Sequence, residues 1–348
     1  MREVVIVIRD LYLEPEPVAA PAADAASPQL ALGIEQLARL GDRATLPAGW
    51  RAWTARWLGL PQYAAAAPAT IATAVLEEAP ADGAVWLATP LHLIAGMTSV
   101  HFDRRSLLRL SELELAELAA SFRETFRGSG FDLRPLGSGE LMLTGPQMSP
   151  MATTTEPARL VLTSVAEALS MGGGAPALRR LGTEIEMWLH GHPVNDERAR
   201  QGALTVATLW LWGGGAATAL RPTAAPPERV AAFGSDPYVR GLWRLAGGET
   251  RPMPLDWTTV IAEPRAQRAL GVVEVAELLH ANASWRLADV VAEIDRRLIM
   301  PSLAALRRGE LERLVLLAND RCLSLRSADR WRWWRRMRAV RSGLEGLA

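Results

Sequence analysis

Apolar positions along this chain fall into runs of three kinds, and each kind predicts a different element. Residues 4–8 form an unbroken apolar, β-branched run, the pattern of a strand buried on both faces of a parallel sheet, and Asp10 stands just past its end. A proline- and alanine-rich stretch at 14–28 predicts a surface loop, and 29–40 predicts a helix closed by Gly41. Residues 61–78 predict another helix, interrupted at Pro68, followed by a short buried strand at 84–88, which makes a second strand-and-helix repeat. The pattern then changes. Residues 107–126 carry the 3.6-residue spacing of an amphipathic helix, with Ser111 and Glu114 placed as a capping box. Two strands at 131–135 and 140–144 are joined through Gly137-Ser138-Gly139. Helices are expected at 157–169 and 177–190, separated by Gly172-Gly173-Gly174. Beyond them the strand-and-helix pattern resumes, with strands at 209–212, 258–262 and 313–318 and a helix at 287–298. The reading is an α/β fold made by the two ends of the chain, with helices on both faces of its sheet. The core is expected at 1–98 and 200–348, and an inserted α+β cap at 99–199.

Composition narrows the function classes. With 348 residues, 49% hydrophobic and 22% charged, the chain can bury a sizeable core and is not a disordered protein. Basic and acidic side chains balance at 38 each, so no chain-wide field steers nucleic acid, and no nucleic-acid partner is expected. Every basic residue is arginine, which excludes a Schiff-base lysine and a P-loop. The single cysteine, Cys322, excludes an internal disulfide and a zinc ribbon, and suits a reducing compartment. The first apolar run is too short for a signal peptide, and the uncharged stretch 201–220 is broken by three glycines, so the expectation is a cytoplasmic protein with no membrane span.

One constellation stands out: His190-Gly191-His192-Pro193-Val194-Asn195, then Arg198 and Gly202, then an apolar run ending in Gly213, Gly214 and Gly215. Imidazole, amide and guanidinium groups gathered at a helix exit supply directed donors for an oxyanion, and a glycine turn adds backbone N–H groups. A plain capping loop followed by a glycine turn is the simpler alternative on composition. The alternating tail, Trp331-Arg332-Trp333-Trp334-Arg335-Arg336, reads either as a docking segment for a protein partner or as an edge strand with arginines in water.

These residues resemble the archaeal-type, cofactor-independent phosphoglycerate mutases of the alkaline phosphatase superfamily, in which HPVN, an arginine, a glycine and a glycine-ended strand follow in the same order. Asp10 is similar to that family's first metal-binding aspartate, and Ser27-Pro28 to its nucleophile segment. Asp236 with Arg240-Gly241-Leu242 resembles an Asp…Lys-Gly-Ile stretch, and His280 with Glu293 and Asp295 its His…Glu-x-x-Asp region. Asp320-Arg321 occupies the place of a strand-terminal Asp-His. As a whole, the HPVN run, the glycine run and the tryptophan-arginine tail look like those of RpfE-type regulatory proteins.

The resemblance implies an alkaline-phosphatase-like core with a cap, but the departures limit the chemistry it implies. Two-metal phosphotransfer needs about six carboxylate and imidazole ligands, whereas Arg321 offers no lone pair and the chain has only five histidines. The expectation is therefore a metal-depleted relative that needs no cofactor and binds a small anionic metabolite in a regulatory role. The expected ligand set is Asp10, His192, Asn195, Arg198, Gly213, Gly214, Gly215, Asp236, Arg240, His280, Asp320 and Arg321. The rival reading is a working mutase or hydrolase with Ser27 as nucleophile and divalent manganese or zinc held by Asp10, Asp320 and His280.

Overall fold

The computed structural model describes residues 1–12, 31–97, 99–137, 139–147, 151–161, 163–166, 171–218, 220–222, 229–318 and 320–331. Ser27 and the docking segment beyond its first residue lie outside them.

In chain order the first elements are β1 (Glu3–Ile8), α1 (Leu32–Leu40), β2 (Asp42–Thr45), α2 (Gly49–Trp57), α3 (Pro68–Ala72), β3 (Ala84–Leu91), β4 (Ile94–Ala95) and β5 (Val100–His101). Next come α4 (Glu112–Thr125), β6 (Asp132–Pro135), β7 (Leu141–Gly145), α5 (Ala175–His190), α6 (Pro193–Arg200), β8 (Thr208–Ala216), β9 (Val230–Phe233) and α7 (Pro237–Leu245). The last are α8 (Thr258–Ile261), β10 (Arg268–Val273), α9 (Val275–Ala281), α10 (Leu287–Ile294), α11 (Met300–Arg308), β11 (Arg313–Ala318) and β12 (Arg321–Arg326).

The chain forms two compact units. Unit 1 comprises Met1–Pro61, Pro227–Ser235 and Glu249–Ala348, and unit 2 comprises Gln62–Pro226 and Asp236–Gly248. Unit 1 is built on a six-stranded mixed sheet in the order β2-β12-β11-β1-β10-β9. Strands β11, β1, β10 and β9 run parallel, while β12 runs antiparallel to both of its neighbours, β11 and β2. The run at 4–8 is continuous because β1 is central. Val4, Ile6 and Ile8 join Ile34 and Leu37 of α1, Ile294 of α10 and Leu303 of α11 in one core, and Val5 and Val7 on the opposite face are equally buried. Between α10 and α11 one π-helical turn, Asp295–Ile299, brings Asp295 into that core.

Unit 2 holds a four-stranded antiparallel sheet, β6-β7-β3-β8. Along β3 the side chains divide by parity. Trp86 and Ala88 pack with Leu115, Leu118 and Phe122 of α4 and Ile185 and Leu189 of α5, while Val85 and Leu87 pack with Ala69 and Ala72 of α3. The capping box at the start of α4 is present: the Ser111 hydroxyl accepts from the Glu114 amide, and the Glu114 carboxylate accepts from the Ser111 amide.

Several sequence expectations are corrected here. Strands β3 and β8, expected beside β1 in the parallel core, pair antiparallel with each other, because an apolar strand buried in either kind of sheet leaves the same signature. Both strands belong to the Gln62–Pro226 segment of unit 2. The strand expected at 258–262 is the short helix α8. The region 61–78 holds α3 between two 3₁₀ turns, and the described part of 157–169 holds only one 3₁₀ turn, Pro157–Arg159. Gly213, Gly214 and Gly215 form no turn. They lie inside β8, where the step from Trp212 to Gly215 opposes Leu87 to Val85 and makes a β-bulge. A Cβ on Gly214 would run into the Trp86 ring, so Gly214 lets a fully buried indole pack against the strand, while Cβ atoms on Gly213 and Gly215 would crowd Pro68 and Thr70.

Candidate functional site

In unit 1 the carboxyl ends of β1 and β11 lie side by side, in parallel register through Val7 and Leu317. Asp10 follows β1 and Asp320 follows β11, at the end of the sheet where open α/β folds receive ligands. Asp10 is 4% exposed, and its two carboxylate oxygens accept from the amides of Val275 (2.6 Å) and Ala276 (2.8 Å), the first turn of α9. Beside it Arg9 pairs with Glu274, the residue preceding that helix. The carboxylate thus neutralises a helix N-terminus, the place where a negative group is most favoured.

Asp320 and Arg321 form the other half of the edge. Asp320 takes a left-handed conformation (φ 56°) in the tight turn between β11 and β12, and its carbonyl accepts from the Leu46 amide. Arg321 opens β12, paired with Ala318 on one side and Thr45 on the other. It is half-buried, and its guanidinium makes no hydrogen bond or ion pair among the described residues.

His280, the third residue of the rival metal set, and the two carboxylates of the region resembling His…Glu-x-x-Asp are elsewhere or otherwise engaged. His280 is exposed in the last turn of α9, whereas Asp10 caps the first. Glu293 holds Arg296. Asp295 repeats the arrangement of Asp10: its oxygens accept from Gly33 (3.0 Å) and Ile34 (2.6 Å) at the start of α1, and burial raises its pKa despite those bonds. Among the described residues no three His, Cys, Asp or Glu side chains gather as a metal cluster. This donor set does not fit a two-ion centre.

In unit 2 the HPVN segment has a structural job. The Asn195 amide nitrogen donates to the carbonyls of Leu189 and Val206 (2.8 Å each) and its oxygen accepts from the Val206 amide (2.7 Å), so α5, α6 and the approach to β8 are fastened by one side chain. Arg198 donates to the Leu204 carbonyl and pairs with Glu114 at 2.6 Å. That pair and the Ser111 hydrogen bonds offset the cost of burial and leave the Glu114 pKa lowered. Both N–H donors of Asn195 are therefore spent on the main chain, and Arg198 has its Nε and Nη1 committed. Asp236 caps α7 through the Val239 amide, and Arg240 donates to the Leu136 carbonyl, its pKa lowered by burial and by Arg244.

His192 is the N-terminal cap of α6. Its Nδ1 accepts from the Val194 amide at 3.2 Å, its ring meets Trp188 edge-on, and its Nε2 is buried without a hydrogen-bond partner. Burial holds its pKa below the ordinary 6.5, against the opposing pull of Glu117 and Asp196. Because the folded value is depressed, the contribution of His192 to stability is complete above about pH 6.5 and is lost as pH falls through the folded value. Asparagine preserves a capping oxygen without titrating, so His192→Asn is expected to lose less stability than wild type between pH 7 and pH 5. Urea midpoints at the two pH values check this; equal losses would place the acid sensitivity elsewhere.

Sequence reasoning did not find the capping roles of Asp10 and Asp295. The available signal was Asp295 itself, a carboxylate set among Val291, Ile294, Leu298 and Ile299 on an apolar face, which requires a partner there.

The chain is thus a mixed α/β protein with a six-stranded sheet and a separate antiparallel sheet. No family model matches the sequence, and no curated protein is significantly similar to it. Among solved structures, it is similar to a cofactor-independent phosphoglycerate mutase from Thermoplasma acidophilum DSM 1728, with 17% identity, a TM-score of 0.37, and 92% of this chain and 88% of that one covered. A protein from Pyrococcus horikoshii is also similar, with 13% identity, a TM-score of 0.46, and 91% and 82% covered. Both scores lie below 0.5, and the functional reading rests on the residues instead. No helix among the described residues is long and apolar enough to cross a membrane.

Proposed function

We propose that this is a phosphoglycerate-mutase-like protein of the alkaline-phosphatase type that has given up metal-dependent phosphoryl transfer and binds a small phosphorylated or carboxylated ligand in a regulatory role. The observation that carries the reading is the Asp10 carboxylate, whose two oxygens are engaged by the first turn of α9. Arg321 at the neighbouring strand end is the anchor for the ligand. A guanidinium fits a phosphate or carboxylate through two parallel hydrogen bonds and keeps its charge at any working pH.

Losing a charge-assisted hydrogen bond costs roughly 1.5–3 kcal/mol, about one to two decades in affinity. Arg321→Ala is therefore expected to weaken binding of phosphorylated and carboxylated metabolites by that factor with an unchanged melting temperature, and Arg335→Ala in the tail to leave binding as it was. Calorimetric titration of both variants decides. Equal affinities for wild type and Arg321→Ala would move the site away from this edge, and loss in the tail variant alone would favour a protein-docking role for 331–336. Turnover of phosphoglycerates that Ser27→Ala abolishes would establish the rival, catalytic reading.

A further inference from the structure

Unit 2 contains a groove of about 600 Å³ that none of the residues considered so far occupies. It runs along β8, the edge strand of the antiparallel sheet, beneath one face of α5, and its volume lies in the range of small-molecule sites.

Three observations distinguish it from a casual crevice. Gly182 lies in the middle of α5, where glycine costs about 1 kcal/mol relative to alanine, yet a Cβ there would meet nothing within 4 Å. Packing does not require this glycine, and the space it leaves belongs to the groove. Trp210, which lines the groove, is held in one orientation by its indole N–H, which donates to the Thr155 carbonyl at 2.9 Å, and by Phe102, which packs against its ring. Thr208 is 5% exposed, lines the groove, and has no hydrogen bond from its hydroxyl among the described residues.

The polar groups indicate the ligand class. Thr154, Thr155, Ser164 and Thr208 contribute hydroxyls, each both donor and acceptor, while the charged side chains of the lining, Arg179 and Glu186, are exposed on α5. Hydroxyl groups beside a fixed aromatic ring match a neutral molecule with alternating hydroxyl groups and an apolar ring face. We infer that this groove binds an uncharged sugar, one or two rings long, laid against Trp210 and admitted close to the α5 backbone by Gly182. An added peptide strand is the poorer occupant, because the Thr154 hydroxyl already accepts from the Gly213 amide of β8.

The test is saturation-transfer NMR on the full chain, with glucose, galactose, mannose, maltose and cellobiose as probes and glucose 6-phosphate and mannose 6-phosphate as phosphorylated controls, followed by titration of any that bind. At least one is expected to bind, and Trp210→Ala is expected to weaken it about tenfold. Gly182→Ala separates recognition from folding. It should raise the melting temperature by about 2–4 °C, because an interior helix glycine is relieved, while weakening the sugar. Gly182→Leu, on a half-exposed helix face, should abolish binding in a folded protein. Failure of every probe, or binding unaffected by Gly182→Leu, would overturn the proposal. Binding of phosphorylated sugars alone, lost with Arg321→Ala, would assign the ligand to the unit 1 edge instead. The two sites share no residue, so either reading can fail without the other.

Discussion

Asn195→Ala is expected to lower the unfolding free energy by about 3–5 kcal/mol, among the larger effects of a single substitution, because three buried main-chain groups lose their only side-chain partner together. Alanine also leaves a void among Leu189, Val194 and Val206, which are buried. Asn195→Asp should be about as damaging: a carboxylate still accepts from the Val206 amide but cannot donate to the carbonyls of Leu189 and Val206. Urea unfolding of the full chain reads both. A midpoint unchanged in both variants, with ligand affinity reduced, would return Asn195 to the ligand set.

Asp10→Ala is expected to cost about 3–4 kcal/mol, since two charge-assisted hydrogen bonds are lost and the amides of Val275 and Ala276 are left unsatisfied at a buried helix N-terminus. Asn at this position keeps one acceptor and brings an amide N–H against a backbone N–H, so Asp10→Asn should fall between alanine and wild type. The loss should appear as a lower urea midpoint and as faster hydrogen exchange in α9. A stable Asp10→Ala protein with weakened ligand binding would show that the carboxylate serves the ligand rather than the helix.

Much of unit 1 was legible because its strands carry one-sided signals in sequence. A five-residue apolar run followed by an aspartate identifies a strand buried on both faces and the end at which that aspartate stands, and 313–318 identifies another strand of the same kind. The capping box of α4 was legible for the same reason, being local. What could not be read was pairing. Strand β3 has the composition of a parallel-core strand, and only its partners β7 and β8 make it antiparallel. The glycines of β8 imitate a turn because their reasons, the bulk of Trp86 at Gly214 and of Pro68 and Thr70 at Gly213 and Gly215, lie more than a hundred residues away in the chain. In the HPVN segment the Asn195 amide and the Arg198 guanidinium donate to main-chain carbonyls of Leu189, Leu204 and Val206, which no side-chain motif announces. Likewise, the aspartates of the expected metal set could be located, yet the helix amides that occupy Asp10 and Asp295 follow from the packing of α9 and α1 alone.

The most direct measurement is thermal unfolding of the wild-type chain in chelator and in about 1 mM manganese or zinc. An ion held by Asp10 with micromolar affinity would add about 4 kcal/mol to the folded state under those conditions. With Asp10 capping α9, the midpoint is expected to be the same in chelator and in metal, and to fall by the same amount in both for Asp10→Ala. A rise of several degrees with manganese or zinc, abolished by Asp10→Asn, would contradict the assignment of this carboxylate to the helix and restore the metal-dependent reading.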